Sequence, residues 1–186
     1  MFTLEFKVLW EEEKRLKEYG VEEFDKECGQ IEGQIELHFG EYKWGYIVND
    51  EGLTDFPGEL LDWWFDQLNE CCNILKTGDY ACFYLPDTAD YWLEMRVVDD
   101  DIHVQLSELV KRTKNENGYV YDKPLKGFQY DRWKDTVIKK SEFINVVEAS
   151  TTRFVEEIRK LNPELLKSKS LGRYSWLNSI MSQENC

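Results

Sequence analysis

The chain has 186 residues, a formal net charge of −14 at pH 7 and 42% hydrophobic residues, which suits one domain with a substantial core. No apolar run is long enough to span a bilayer, and the acidic excess disfavours binding to nucleic acid and to anionic membranes. The five cysteines include no CxxC pair, which indicates free thiols in a reducing cytoplasm. We therefore expect a single cytoplasmic domain over residues 1–186, with no metal and no cofactor, and the sequence leaves its oligomeric state open.

The charge is unevenly distributed along the chain. Residues 1–110 hold 27 acidic and 8 basic side chains, a net charge of −19. Residues 111–186 hold 10 acidic and 15 basic side chains, a net charge of +5. An acidic surface built from the first segment would attract basic partners. Solubility alone is the alternative explanation, and composition does not decide between the two.

The first three elements along the chain are a strand, a charged helix and a hairpin. Alternation from Phe2 to Val8 predicts a half-buried strand, and the charged segment 11–28 predicts a short helix with a loop. The segment IELHFGEYKWGYI, residues 35–47, predicts a β-hairpin with Gly40-Glu41 as a two-residue type II′ turn, which prefers Gly first. This register places every large apolar side chain before the turn on one face, whereas a one-residue slip would mix the two faces.

The segment ELLDWWFDQLNECCNIL, residues 59–75, predicts an amphipathic helix over residues 56–76. Asp55 is the expected cap and Pro57 suits the first turn. The predicted buried stripe consists of Leu61, Trp64, Phe65, Leu68, Cys72 and Leu75. Asp62 and Asp66 fall on the polar face. Trp63 lies at the flank of the helix, so only one of the two adjacent tryptophans belongs to the core.

A strand over residues 79–85 precedes a second hairpin, YWLEMRVVDDDIHVQLS, residues 91–107. With Asp99-Asp100 as the turn, the apolar pairs are Val97 with Ile102, Met95 with Val104 and Leu93 with Leu106. The polar face then pairs Arg96 with His103 and Glu94 with Gln105. Two aspartates without Gly suit a type I′ turn poorly, so a longer turn remains an alternative.

The last third of the chain predicts a long loop, an edge strand and two helices. Residues 111–130 are polar and contain Gly and Pro, which is typical of a loop, and residues 136–138 predict a short edge strand. Helices are expected over residues 141–161 and from Asn162-Pro163, with a frayed tail over 179–186. The predicted fold is α+β: a single-layer antiparallel sheet built from hairpins, with helices 56–76 and 141–161 packed on one face.

The sequence contains one candidate for a catalytic or metal-binding site. If the two hairpins are neighbours, Glu36, His38 and His103 would approach one another on the polar sheet face as an acid–base or metal site. A solvated sheet face is the simpler interpretation. The aspartates from Asp99 to Asp101 lack the spacing of a calcium loop. No motif typical of nucleotide, zinc or serine-hydrolase sites occurs.

Surface recognition is the function that these observations favour. Tryptophan and tyrosine carry much of the energy at protein interfaces, where polar residues surround them. Trp63 among carboxylates fits that description. Trp92 is a second candidate, and burial under a loop or a neighbouring helix is the alternative for both tryptophans. The predicted partner-binding residues are Asp62, Trp63, Asp66, Glu70, Asp99, Asp100 and Asp101.

The organisation of the chain resembles the cytoplasmic immunity proteins of bacterial polymorphic-toxin systems. The resemblance is carried by the two hairpins, the helix FPGELLDWWFDQLNECCNIL and the closing helix SEFINVVEASTTRFVEEIRKLN, in a small acidic chain without a catalytic motif. It implies binding to one toxin domain, often a basic nuclease, and blocking of its active site or of a required surface. Carboxylates that replace substrate phosphates and steer association give this role a physical basis.

Three functions therefore remain open. The first is an inhibitor of the immunity type that binds a basic protein partner, with no nucleic acid and no membrane involved. The second is another protein-interaction or regulatory module. The third is an enzyme that uses Glu36, His38 and His103.

Overall fold

The computed structural model describes residues 1–27, 29–48, 58–86, 88, 90–110, 118–130, 133 and 135–184. In chain order its elements are β1 (Phe2–Val8), α1 (Trp10–Glu18), α2 (Val21–Lys26), β2 (Glu32–Phe39), β3 (Tyr42–Gly45), β4 (Glu59–Leu60), α3 (Leu61–Thr77), β5 (Tyr80–Tyr84), β6 (Tyr91–Val98), β7 (Asp101–Leu109), β8 (Val120–Tyr121), β9 (Phe128–Gln129), β10 (Thr136–Lys139), α4 (Lys140–Leu161), a 3-10 helix (Pro163–Lys167), α5 (Lys169–Gly172) and α6 (Ser175–Glu184). The predicted helix cap at Asp55 and Pro57 lies outside the described residues.

The strands form two antiparallel sheets. The first sheet has the order β1-β2-β3, and β4 also pairs with β2. The second sheet has the order β10-β7-β6-β5-β8, and β9 also pairs with β7. The α+β class with antiparallel, hairpin-based sheets is confirmed, with two sheets in place of the single layer that the sequence predicted.

The chain divides into two compact units, each built from three separate segments. The first unit comprises Met1–Thr3, His38–Lys43 and Gln67–Val146, and it contains the whole second sheet. The second unit comprises Leu4–Leu37, Trp44–Asp66 and Val147–Cys186. Both units draw on β1, β2, β3, α3 and α4, because the boundaries fall inside these elements.

The first hairpin has the predicted two-residue turn, since β2 ends at Phe39 and β3 begins at Tyr42. Tyr46 N donates to Ile35 O at 3.0 Å, and Gly40 at the turn has a φ of 62°, as a type II′ turn requires at its first central position. Gly45 has a φ of +80°, and a Cβ there would lie 2.1 Å from Ile35 O. Glycine at position 45 therefore permits both the unusual backbone conformation and the close approach of the two strands.

The second hairpin has the predicted register. Val97 pairs with Ile102, Met95 with Val104 and Leu93 with Leu106, while Arg96 pairs with His103 and Glu94 with Gln105. The turn is the two-residue one, so the alternative of a longer turn is wrong. Asp99 adopts a φ of 55°, a left-handed conformation that aspartate tolerates better than most residues.

Both main helices bury an apolar stripe, and the one on α3 is the stripe that the sequence predicted. Helix α3 buries all six predicted stripe residues and also Cys71, although it begins at Leu61 rather than at 56. Helix α4 buries Phe143, Val147, Phe154 and Ile158. Asn162 caps the following 3-10 helix by accepting a hydrogen bond from Glu164 N, as predicted for Asn before Pro. Helix α6 continues to residue 184, where the sequence predicted a frayed tail.

A further apolar cluster covers part of the face of the second sheet that the sequence predicted to be polar and solvated. Tyr80, Cys82, Trp92, Leu109 and Leu125 are buried together, and Tyr84, Tyr121 and Phe128 pack against them. The residues from the predicted 111–130 loop that are described, 118–130, thus contribute two short strands and part of a core. Burial of Trp92 confirms the alternative to its role at an interface.

Candidate functional site

Asp62 was predicted to be exposed beside Trp63, and this is wrong. Its side chain is 0% exposed. One carboxylate oxygen accepts a hydrogen bond from Ile31 N at 2.9 Å, and the other accepts one from the Tyr174 hydroxyl at 2.6 Å. Burial raises the pKa of this carboxyl, although both hydrogen bonds oppose that shift. Asp62 therefore joins distant segments of the second unit and offers no surface to a partner.

The other predicted contact residues of α3 keep part of their surface. Trp63 and Asp66 are half-buried, and Glu70 is exposed. The Trp63 ring meets the Trp64 ring edge to face, with centroids 6.1 Å apart. Burial raises the pKa of the Asp66 carboxyl, and the charge of Arg173 opposes that shift. The role of these three residues in binding stays a prediction.

The acidic turn between β6 and β7 is the second predicted contact region. Asp99 and Asp100 are exposed and Asp101 is half-buried. Asp101 forms an ion pair with Lys139 on the neighbouring strand β10. Its charge is therefore partly neutralised, whereas the first two aspartates present theirs to solvent.

A cavity with polar and apolar lining residues lies on the second sheet beside this turn. Its volume is about 320 Å³, and it is lined by Glu94, Arg96, Val98, His103, Gln105, Tyr130 and Asp135. The two strands explain the grouping, because alternate residues of β6 and their partners on β7 share one face of the sheet. Neither Glu36 nor His38 lines this cavity, so the structure does not bring the three predicted catalytic candidates together there.

Glu94 forms the floor of the cavity. It is 1% exposed and accepts hydrogen bonds from the Tyr80 hydroxyl and from Arg96 Nη2, both at 2.7 Å. Arg96 Nη2 also donates to the Tyr130 hydroxyl at 3.3 Å. The bond to Glu94 raises the pKa of Arg96, and burial raises the pKa of both tyrosines. The floor is therefore an ion pair flanked by neutral phenols at physiological pH.

His103 and Asp135 form the side wall of the cavity. His103 Nδ1 lies 2.7 Å from Asp135 Oδ2. Because a carboxylate only accepts, Nδ1 is the donor, and Nε2 is an acceptor when the imidazole is neutral. The lining then holds two carboxylates and one guanidinium, so its formal charge is negative with a neutral histidine.

Exposed apolar side chains accompany the cavity. Val98 is 53% exposed and Tyr130 is 48% exposed, and both line it. Val137 is 47% exposed and is the cross-strand partner of His103 on β10. We call Val98, Tyr130, Val137, the cavity lining and the turn from Asp99 to Asp101 the cavity face. Apolar surface next to charged groups is characteristic of recognition sites.

Sequence reasoning missed three functional candidates: Glu94, Tyr130 and Asp135. The hairpin register placed Glu94 beside Arg96 but gave no sign that this part of the face is covered. Tyr130 and Asp135 belong to irregular segments whose position no periodicity encodes.

No protein family, no curated protein and no solved structure matches this chain. Among the described residues, no helix is long and apolar enough to cross a membrane. The same residues contain no cluster of three or more His, Cys, Asp or Glu side chains suited to hold a metal ion.

Proposed function

We propose that this chain is a protein-binding inhibitor of the immunity type and that the cavity face contacts its basic partner. The partner proposed is a toxin domain, and a nuclease is one candidate for it. The observation that carries the proposal is the grouping of exposed Val98, Tyr130 and Val137 with the carboxylates of the cavity and of the turn. Interfaces of this kind combine apolar anchors with complementary charge at the rim.

The charge of the face supports a basic partner. Asp99 and Asp100 are exposed at its edge, and the whole chain carries −14. The electric field of such a surface accelerates the encounter with a cationic surface. Dissolved salt screens this field, with a Debye length of about 8 Å at physiological ionic strength. Against a nuclease, the same carboxylates would occupy positions that substrate phosphates normally take.

The experiment compares capture of partners from the host lysate by the wild type and by two kinds of variant. Val137→Lys and Asp100→Lys change exposed positions of the cavity face. Glu22→Lys and Glu23→Lys make similar changes of charge at exposed positions of α2. We expect the wild type to capture a basic protein. Its recovery should fall at least about tenfold with either variant of the first pair and should stay within about twofold of the wild-type recovery with either variant of the second pair.

Inhibition then separates this function from that of another interaction module. The purified partner should lose its activity when the wild type is added, and association should slow as salt is raised. Equal recovery with all four variants, or binding without inhibition, would contradict the proposal.

A further inference from the structure

We propose that the cavity on the second sheet binds an organic cation, a guanidinium or ammonium group on an apolar stem. We assign this group to an arginine or lysine side chain of the partner in the proposed function. Only this assignment of the source depends on the proposed function. The cation site itself rests on the cavity and on its lining.

The charges of the lining favour a cation. Glu94 and Asp135 contribute two negative charges, and Arg96 contributes one positive charge. Nη2 of Arg96 already donates to Glu94 and to the Tyr130 hydroxyl. An anion would meet both carboxylates and would have to compete for this guanidinium, which would leave a buried carboxylate without its counter-ion.

Two acceptors on the wall remain available to an incoming donor. Asp135 uses Oδ2 for His103, and its other oxygen has no hydrogen bond to any residue in the described part of the chain. The Gln105 side chain likewise makes no hydrogen bond within those residues, and it lines the cavity. A guanidinium or ammonium group carries several N–H donors that would satisfy both oxygens at once.

The shape of the cavity fits a cation with a stem. A volume of about 320 Å³ has room for about ten water-sized groups, more than the side chain of arginine or lysine fills. Val98 offers apolar surface to the stem. The ring of Tyr130, about half exposed, offers a face that attracts cations. The polar end and the apolar wall thus match the two ends of one basic side chain.

The test is a titration followed by NMR of the two histidine imidazoles. The chain contains two histidines, and His38 serves as an internal control because it does not line the cavity. The probes are n-butylguanidinium, its neutral analogue n-butanol, its anionic analogue butyrate, and a blocked Gly-Arg-Gly peptide. We expect n-butylguanidinium to shift the His103 resonances in a saturable manner while His38 stays unchanged, and butanol and butyrate to bind at least about tenfold more weakly.

Variants locate the binding. Asp135→Asn removes one charge from the wall and should weaken cation binding about tenfold, and Gln105→Leu should weaken it in the same direction. Glu22→Gln removes an exposed carboxylate on α2, outside the cavity, and it should change the affinity less than twofold. Circular dichroism checks that each variant is folded, and Gln105→Leu decides the question if Asp135→Asn does not fold.

The outcomes separate this inference from the proposed function. Binding of butyrate at least as strong as that of n-butylguanidinium, equal shifts at His38, or equal affinities of Asp135→Asn and Glu22→Gln for n-butylguanidinium would overturn the cation site. If the peptide binds like the free cation, a protein side chain is supported as the source. If only the free cation binds, the site stands and the partner's side chain is excluded. Partner capture that falls with Val137→Lys but not with Asp135→Asn would leave the proposed function standing and would exclude a side chain of the partner as the source of the cation.

Discussion

Replacing Asp62 with alanine gives the strongest test of how the second unit is held together. The substitution removes the acceptor of two hydrogen bonds, from Ile31 N at 2.9 Å and from the Tyr174 hydroxyl at 2.6 Å. Both donors belong to buried residues, so water does not readily replace the carboxylate. The variant would therefore contain two buried donors without a partner.

The magnitude follows from two opposing effects. Each hydrogen bond to a charged acceptor contributes about 1.5–3 kcal/mol, so the loss of both costs about 3–6 kcal/mol. Burial of the carboxylate is itself unfavourable and raises its pKa. The variant has no carboxylate to bury, so the absence of this penalty offsets part of the cost. We expect the free energy of unfolding to fall by about 3 kcal/mol, which lowers the Tm of a chain of this size by about 6–12 °C.

Urea unfolding of the wild type, Asp62→Ala and Glu70→Ala measures this difference. Glu70→Ala is the matched control because it also removes a carboxylate from α3, at an exposed position. Exposed substitutions of this kind change stability by no more than about 0.5 kcal/mol. If the two variants are equally stable, Asp62 is not a buried acceptor, and its predicted place among the partner contacts would have to be restored.

Three further outcomes follow from the described contacts. Burial raises the folded-state pKa of Asp62, so the folded protein binds this proton more tightly than the unfolded chain. Lowering the pH from neutral towards 3.8, the ordinary pKa of aspartate, should then stabilise the wild type relative to Asp62→Asn in urea unfolding, and a pH-independent difference would contradict this. Gly45→Ala should lose at least about 2 kcal/mol, because its Cβ would lie 2.1 Å from Ile35 O; Gly20→Ala, whose Cβ meets nothing within 4 Å, should stay near the wild type. Trp92→Ala should cost about 3–5 kcal/mol by calorimetry, whereas a loss below about 1 kcal/mol would mean that the cluster around it is not a core.

The two hairpins show what the sequence can determine. In each hairpin one register pairs apolar residues of the two strands on one face. The structure shows that register in the second hairpin, and in the first it shows the hydrogen bond expected between Tyr46 and Ile35. A strand has a period of two, so local alternation and the turn residues carry this information over a short stretch of chain. The buried stripe of α3 was predictable for the same reason, with the helical period.

The environment of individual polar residues was not predictable in this way. Asp62 sits on the side of α3 that the sequence marks as polar, but Tyr174, 112 residues away, covers it. His103 meets Asp135 across 32 residues, through a segment with no regular pattern. Periodicity assigns a residue to a face, whereas the residue's burial depends on which distant segment lies over that face. The candidate site therefore emerges only from the tertiary structure.

At Glu94 the proposed recognition site and the stability of the fold make opposite demands. The same face of the second sheet carries a packed cluster at Trp92 and an exposed side chain at Val98, and Glu94 lies between them on β6. A buried ion pair such as Glu94 with Arg96 stabilises a fold no more than well-packed apolar residues would, and often less. An apolar side chain at position 94 would simply extend the cluster. A carboxylate there instead keeps the adjoining part of the face polar and open, which is the arrangement that a cation-binding cavity needs.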